Sequence, residues 1–133
     1  MLNVAIASFG YSEKTVLENV HFKLEPAEHL VVLGESGCGK STLLHLIYGL
    51  LHLEQGQLFW EEKELLGPRH NLIPGEPFMK LVAQEFNIMP FISVAENIAT
   101  HLDRLHLEKD EERVAQLLEV VDLQDQALSL IHI

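Results

Sequence analysis

Gly34-Glu35-Ser36-Gly37-Cys38-Gly39-Lys40-Ser41 fits the pattern G-x-x-x-x-G-K-[ST] in full. These residue types at this spacing suit the wrapping of a phosphate group. A loop that encloses an anion must turn successive backbone N–H groups inward, and glycines permit the dihedrals and the close approach this requires. A helix starting at the end of the loop adds its unpaired N-terminal N–H groups and the positive end of its dipole. Lys40 would reach the β- and γ-phosphates of a nucleotide, and the Ser41 hydroxyl would ligate Mg²⁺. Cys38 beside Lys40 has two readings, a small side chain tolerated in the loop or a thiol of lowered pKa open to alkylation.

The elements around the loop agree with that use. Leu30-Val31-Val32-Leu33 is a continuous apolar run closed by Gly34, the pattern of a strand buried on both faces of a sheet. Behind the loop, Leu43, Leu44, Ile47, Leu50 and Leu51 recur at three- and four-residue steps, which predicts a helix from Lys40 to about Tyr48 with Gly49 near its end. Leu2–Ser8 and Val16–Leu24 alternate as strands, and Pro26 ends the second. Gln57–Trp60 is a further strand after the turn residue Gly56, Gly67–Pro77 is a loop, and Phe78–Ala83 is a strand ending at Gln84. Ser93 with Glu96 three residues on forms a capping box, and Val94, Ile98, Leu102 and Leu105 then share one helical face. A second helix runs from about Lys109 to Val121 with Val114, Leu117, Leu118 and Val121 inward. Strands precede helices, with one strand–loop–helix unit between them.

Composition narrows the function classes. Twenty acidic residues against nine basic ones give a formal net charge of −11, which argues against general binding to nucleic acid or an anionic membrane surface. A single cysteine excludes an intrachain disulfide framework and a cysteine-rich zinc module, and it fits a reducing compartment. The longest apolar stretch, Leu43 to Leu53, is broken by His45 and His52 and falls well short of the roughly 20 residues that span a bilayer. No basic residue precedes Ala5-Ile6-Ala7, so no signal peptide is read there and a cytoplasmic location is expected. His101 and His106 are five apart, which does not align them on one helical face, and surface histidines are expected rather than metal ligands. Glu108 to Glu112 is expected to be a solvated helix start.

Phe9-Gly10-Tyr11 upstream of the loop, Leu81-Val82-Ala83-Gln84-Glu85 downstream, and Pro90-Phe91-Ile92-Ser93-Val94-Ala95-Glu96-Asn97-Ile98 beyond it complete an ordered series. From about Leu2 to Ala127 the chain resembles the N-terminal half of the ATP-binding cassette (ABC) family, the ATPase subunits of membrane transporters. The fold this implies is α/β: a P-loop NTPase of the ABC ATPase type, with an N-terminal antiparallel β layer and an incomplete helical subdomain. Residues 1–33 would form the strand layer leading to the P-loop, 34–84 the nucleotide-binding core, and 85–127 the start of the helical subdomain.

The resemblance also implies roles. Tyr11 would stack on adenine, with Phe9 competing for that place. Gly34, Glu35, Ser36, Gly37, Cys38, Gly39, Lys40, Ser41 and Thr42 would hold the phosphates of ATP. Lys40 and Gln84 would act in catalysis, and Ser41 and Gln84 would ligate Mg²⁺, with Gln84 sensing the attacking water. Phe86 to Val94 would form the floor of a groove for a membrane permease. Its apolar residues Phe86, Ile88, Met89 and Phe91 suit either that surface or a subdomain core. A second ATPase subunit would complete the working dimer, peripheral on the inner face of the membrane, and no nucleic acid is expected as a partner.

Three family features are absent from these 133 residues: the L-S-G-G-Q signature, the second Walker motif with its Asp and Glu, and the switch His. Leu128-Ser129 matches two letters of the signature and then departs. Residues 128–133 resemble the in-frame translation of a transposon end used in sequencing libraries, so a native sequence ending near Ala127 is expected, with a genuine apolar tail as the alternative. The expectation is an ATP-binding, energy-coupling subunit whose parent protein hydrolyses ATP to move a solute, with negligible turnover by this chain alone. The alternatives are a soluble ABC ATPase without a permease, acting on ribosomes or DNA, and a non-catalytic nucleotide-binding module.

Overall fold

Leu2, Val4 and Ile6 alternate with less apolar neighbours, and such a period of two puts all three on one face of a strand. In the computed structural model, which describes residues 1–133 apart from 86–87, 103–106 and 132–133, that strand is β1 (Leu2–Tyr11) and those three side chains are buried. It runs antiparallel to β2 (Lys14–Leu24) on one side and to β3 (Gln55–Trp60) on the other, and β3 pairs with a two-residue β4 (Lys63–Glu64). The sheet order is β2-β1-β3-β4. The registers with β2 and with β3 shift between Phe9 and Gly10 and between Ile6 and Ser8 respectively. Both irregularities therefore fall at the C-terminal end of β1, and β-bulges of this kind bend a strand and re-aim its side chains.

Helix α1 (Lys40–Tyr48) lays Leu43 and Leu46 against this face, in one core with Leu2, Val4, Ile6, Leu17, Leu58 and Leu65. Each such side chain contributes about 1.5–3 kcal/mol through burial. Gly49 ends the helix in the left-handed region at φ 82° and returns its N–H to Leu46. The expected helix is therefore present, but its buried stripe is Leu43 and Leu46; Leu44 and Leu50 face solvent.

The chain divides into two compact units, Met1–Val82 and Ala83–Ile133. In the second, α2 (Val94–Ala99) packs on α3 (Leu107–Val120), with Val114 and Leu118 buried. The capping box is complete: Ser93 Oγ accepts from the Glu96 N–H at 3.2 Å, and Glu96 Oε2 accepts from the Ser93 N–H at 2.8 Å. Backbone bonds join 91–95 to 127–131, among them Phe91 N–H to Ile131 O at 3.0 Å and Val94 N–H to Ser129 O at 3.1 Å.

Two expected strands are not formed. Leu30–Leu33 carries no ladder, and Val31 and Leu33 are 73% and 86% exposed. A run apolar on both faces needs strands on both edges and cover above and below, and among the described residues nothing supplies either. Phe78–Ala83 likewise pairs with no strand, and Val82 is 87% exposed. The helix after Ser93 stops at Ala99, so the four-residue face expected there does not extend to Leu102. Leu105 and His106 lie outside the described residues, as do Phe86 and the last two residues of the tail. Val121 points outward because α3 has ended and Asp122 takes φ 57°. Within the acidic start of α3, Asp110 is only half-buried rather than solvated, and its Oδ2 is shut off from solvent with no hydrogen-bond partner among the described residues.

Candidate functional site: the phosphate loop

The loop between residue 33 and α1 has the shape its glycines predict. Gly39 is the N-cap of α1 at φ 100°, and Gly37 sits at φ 81°, both in the region that an L side chain adopts only at a cost. Gly39 is needed for space as well. A Cβ there would lie 2.9 Å from both Leu17 Cδ2 and Val16 Cγ1 and 3.3 Å from the Val16 carbonyl. A Cβ at Gly37 would meet nothing within 4 Å. The loop is thus braced from behind by β2 at Gly39 and open at Gly37.

The helix end faces this opening without competition. Gly39 has no side chain to cap it, α1 has no acid in its first turn, and the first intrahelical bond runs from Leu43 N–H to Gly39 O at 2.9 Å. The N–H groups ahead of Leu43 therefore lack helical carbonyl partners, which is the arrangement that receives an anion. Lys40 reaches back over the loop: its Nζ donates to Gly34 O at 2.8 Å and to Glu35 O at 2.6 Å, with Cys38 Sγ 3.6 Å away. An ammonium is thereby held at the loop's mouth by two neutral acceptors, where an arriving phosphate can replace them. Ser41 is exposed on the first turn, and Thr42 is buried beside it.

Tyr11 joins this assembly across 31 residues. Its hydroxyl is 3.4 Å from Thr42 Oγ1, and its ring is 49% exposed. Phe9 makes an edge-to-face contact with it, centroids 5.4 Å apart, but is itself packed against the core. Of the two aromatics, Tyr11 has the freer face. Gln84 stands in the second unit, exposed, at the end of a segment that forms no strand.

Of the residues expected to floor a permease groove, Ile88, Met89 and Phe91 are exposed, the last 74% accessible with φ 67°, whereas Ile92 and Val94 are half-buried and Ser93 is buried. Their loop is tied by Asn97. Its Oδ1 accepts from Met89 N–H at 2.8 Å, and its Nδ2 donates to Met89 O at 3.0 Å and Ser93 O at 3.1 Å. Neither Asn97 nor the brace formed by Val16 and Leu17 was identified from sequence. Asn97 stands in the V-x-E-N-I series, but an asparagine's partners are set by a loop shape that spacing does not reveal.

Comparison with known proteins agrees with this geometry. The spermidine/putrescine import ATP-binding protein PotA of Clostridioides difficile (strain 630) is 35% identical over 116 residues, which cover 86% of this chain and 32% of that protein. The Fe(3+) ions import ATP-binding protein FbpC of Haemophilus influenzae (strain 86-028NP) is 33% identical over 125 residues, covering 92% and 36%. The maltose/maltodextrin import ATP-binding protein MalK of Yersinia pestis is 34% identical over 128 residues, covering 92% and 33%. The chain spans about a third of the length of these relatives. Among solved structures, a dimeric post-hydrolysis state of the ATP-binding cassette MJ0796 bound to ADP and Pi superimposes with a TM-score of 0.67 at 20% identity, over 96% of this chain and 60% of that one. It shares the ABC ATPase fold. The family model described as ABC transporter matches residues 17–132, a span that takes in the phosphate loop, the Asn97 clamp and most of both units, and on that match the chain belongs to the ABC transporter family.

Proposed function

We propose that this chain is the nucleotide-binding part of an ATP-driven import subunit, in which Gly34 to Thr42 hold the phosphates of MgATP and Tyr11 stacks on the adenine. The uncapped, β2-braced start of α1, with Lys40 parked on two loop carbonyls, carries this reading. The site residues fit the group: a wide opening at Gly37, free amides and one mobile ammonium suit a triphosphate. Mg²⁺, when bound with the nucleotide, neutralises phosphate charge, and Ser41 and Gln84 are the side chains we assign to it. On binding, Lys40 exchanges its carbonyl partners for phosphate oxygens, a change from neutral to charge-assisted hydrogen bonds.

Hydrolysis belongs in this proposal to the longer protein, where a second cassette and a general base complete the site; this chain alone binds without turning over. The permease is received by the Ile88–Val94 loop, whose outward Phe91 and Asn97 clamp suit a fixed docking surface, and the subunit lies at the cytoplasmic face. Among the described residues no helix is long and apolar enough to cross a membrane. The import class is favoured over a nucleic-acid-directed ATPase by the three relatives, each an import ATP-binding protein, and by the −11 charge.

Titration of the purified chain with a fluorescent ATP analogue tests the site. Lys40→Ala removes charge-assisted bonds worth about 1.5–3 kcal/mol, so affinity should fall by roughly 10- to 100-fold. Equal affinity in the variant and the parent would overturn the assignment.

A further inference from the structure

Outside the phosphate loop, two histidines stand together on segments that are separate in sequence. His52 lies in the connection from α1 to β3, and His70 in a turn that follows β4 and is closed by its own N–H on Gly67 O at 3.0 Å. The backbones beneath them are in contact: a Cβ on Gly67 would lie 2.6 Å from both His52 Cα and Leu51 O. The rings are 5.5 Å apart between centroids and tilted by 45°, neither stacked nor edge-on.

That spacing matches two imidazoles sharing one ion. A Zn–N bond of about 2.1 Å, with roughly 1.1 Å more to each ring centre, separates two ligating rings by about 5.2 Å at a tetrahedral angle. A second observation points the same way. Among the described residues His52 Nδ1, shut off from solvent, has no hydrogen-bond partner, an arrangement that is costly for a ring nitrogen and that direct coordination of an ion relieves. The nearby positive charge of Arg69 is offset by Glu54 at 2.8 Å.

We propose that His52 and His70 together bind a borderline divalent transition-metal ion, Zn²⁺ or Ni²⁺, clamping the α1–β3 connection to the turn after β4. No group of three or more His, Cys, Asp or Glu residues assembles around a metal position among the described residues, so water completes the coordination on the side of exposed His70. Imidazole donors favour Zn²⁺ and Ni²⁺ over Mg²⁺ or Ca²⁺. The site is therefore distinct in chemistry from the magnesium carried by a nucleotide, and it does not rest on the nucleotide reading.

Equilibrium dialysis of the untagged, metal-stripped full chain against Zn²⁺ and Ni²⁺ tests this, with excess Mg²⁺ present throughout. Wild type should bind one ion. His52→Ala and His70→Ala should each weaken binding by about 10-fold or more, a lower bound set by what loss of even an outer partner costs a metal site. The double variant should be little worse than either single one, and exposed His21→Ala should bind as wild type. Because His70 lies on an exposed turn, His70→Ala keeps the test decisive if His52→Ala misfolds. No binding by wild type, or full binding by His70→Ala, overturns the proposal; the latter would place the ion on others of the chain's eight histidines.

Discussion

Replacing Gly39 and Gly37 separately by alanine distinguishes backbone strain from crowding in the phosphate loop. Both residues are left-handed, at φ 100° and 81°. An L residue in that region costs about 1–2 kcal/mol, offset by about 0.4–1 kcal/mol from the reduced freedom of the unfolded chain. Gly37→Ala meets nothing within 4 Å and should lose only that difference, about 0–1.6 kcal/mol. Gly39→Ala drives a methyl group to 2.9 Å from both Leu17 and Val16, and Leu17 belongs to the buried core. Overpacking of this kind adds about 1–3 kcal/mol, giving a total of about 1–4.6 kcal/mol. Urea unfolding followed by the single tryptophan, Trp60 on β3, reports on the first unit without interference from the second. Equal destabilisation of the two variants would refute the β2 brace. Stability unchanged in both would refute the left-handed loop itself.

Two other perturbations probe the second unit. Asn97→Ala removes the acceptor of Met89 N–H, along with two donated bonds, and should cost about 1–3 kcal/mol; hydrogen exchange at Met89 should quicken, and Asn97→Asp, which keeps the acceptor, should recover part of the protection. The Glu96 carboxyl is held below the usual range by the Ser93 backbone N–H and then by the Ser93 hydroxyl, so its contribution to stability is present above the ordinary glutamate value of about 4.3 and is lost as pH falls through the lower folded value. Wild type should accordingly exceed Glu96→Gln in stability at pH 7, and that advantage should shrink as pH falls below about 4 in parallel thermal melts; a difference that did not change with pH would refute the capping bond.

What could be read from sequence was what local chemistry decides. The G-x-x-x-x-G-K-S spacing, the apolar repeat behind it and the Ser93–Glu96 box each depend on neighbours within a few residues; the helix from Lys40 to Tyr48 and the box form as expected, although the helix buries only Leu43 and Leu46 of its repeat. The two hairpins were harder. Their turns begin at Ser12 and Glu61, at φ 54° and 55°, positions where Gly or Asn would have been the signal. β4 was missed for that reason, and β1 and β2 each extend further toward their shared turn than the alternation indicated. Leu30–Leu33 and Phe78–Ala83 failed differently. Apolar runs announce a need for burial, and whether a ladder forms depends on partners that a local pattern does not name.

That failure isolates what the phosphate loop depends on. A strand ending at Gly34 was expected to position the loop, yet its shape stands without a ladder through residues 30–33. The bracing comes from β2 at Gly39, from Thr42 beside Tyr11 at the end of β1, and from Leu43 and Leu46 in the core. All three supports lie within Met1–Val82. Phosphate binding requires only what they hold in place: free amides, glycine openings and one lysine. In the reading proposed above, hydrolysis additionally requires a general base and an opposing subunit's contacts. Binding and turnover are therefore separable in this architecture. A variant such as Lys40→Ala should be judged by nucleotide affinity in this chain, because catalytic rate would test parts the loop does not contain.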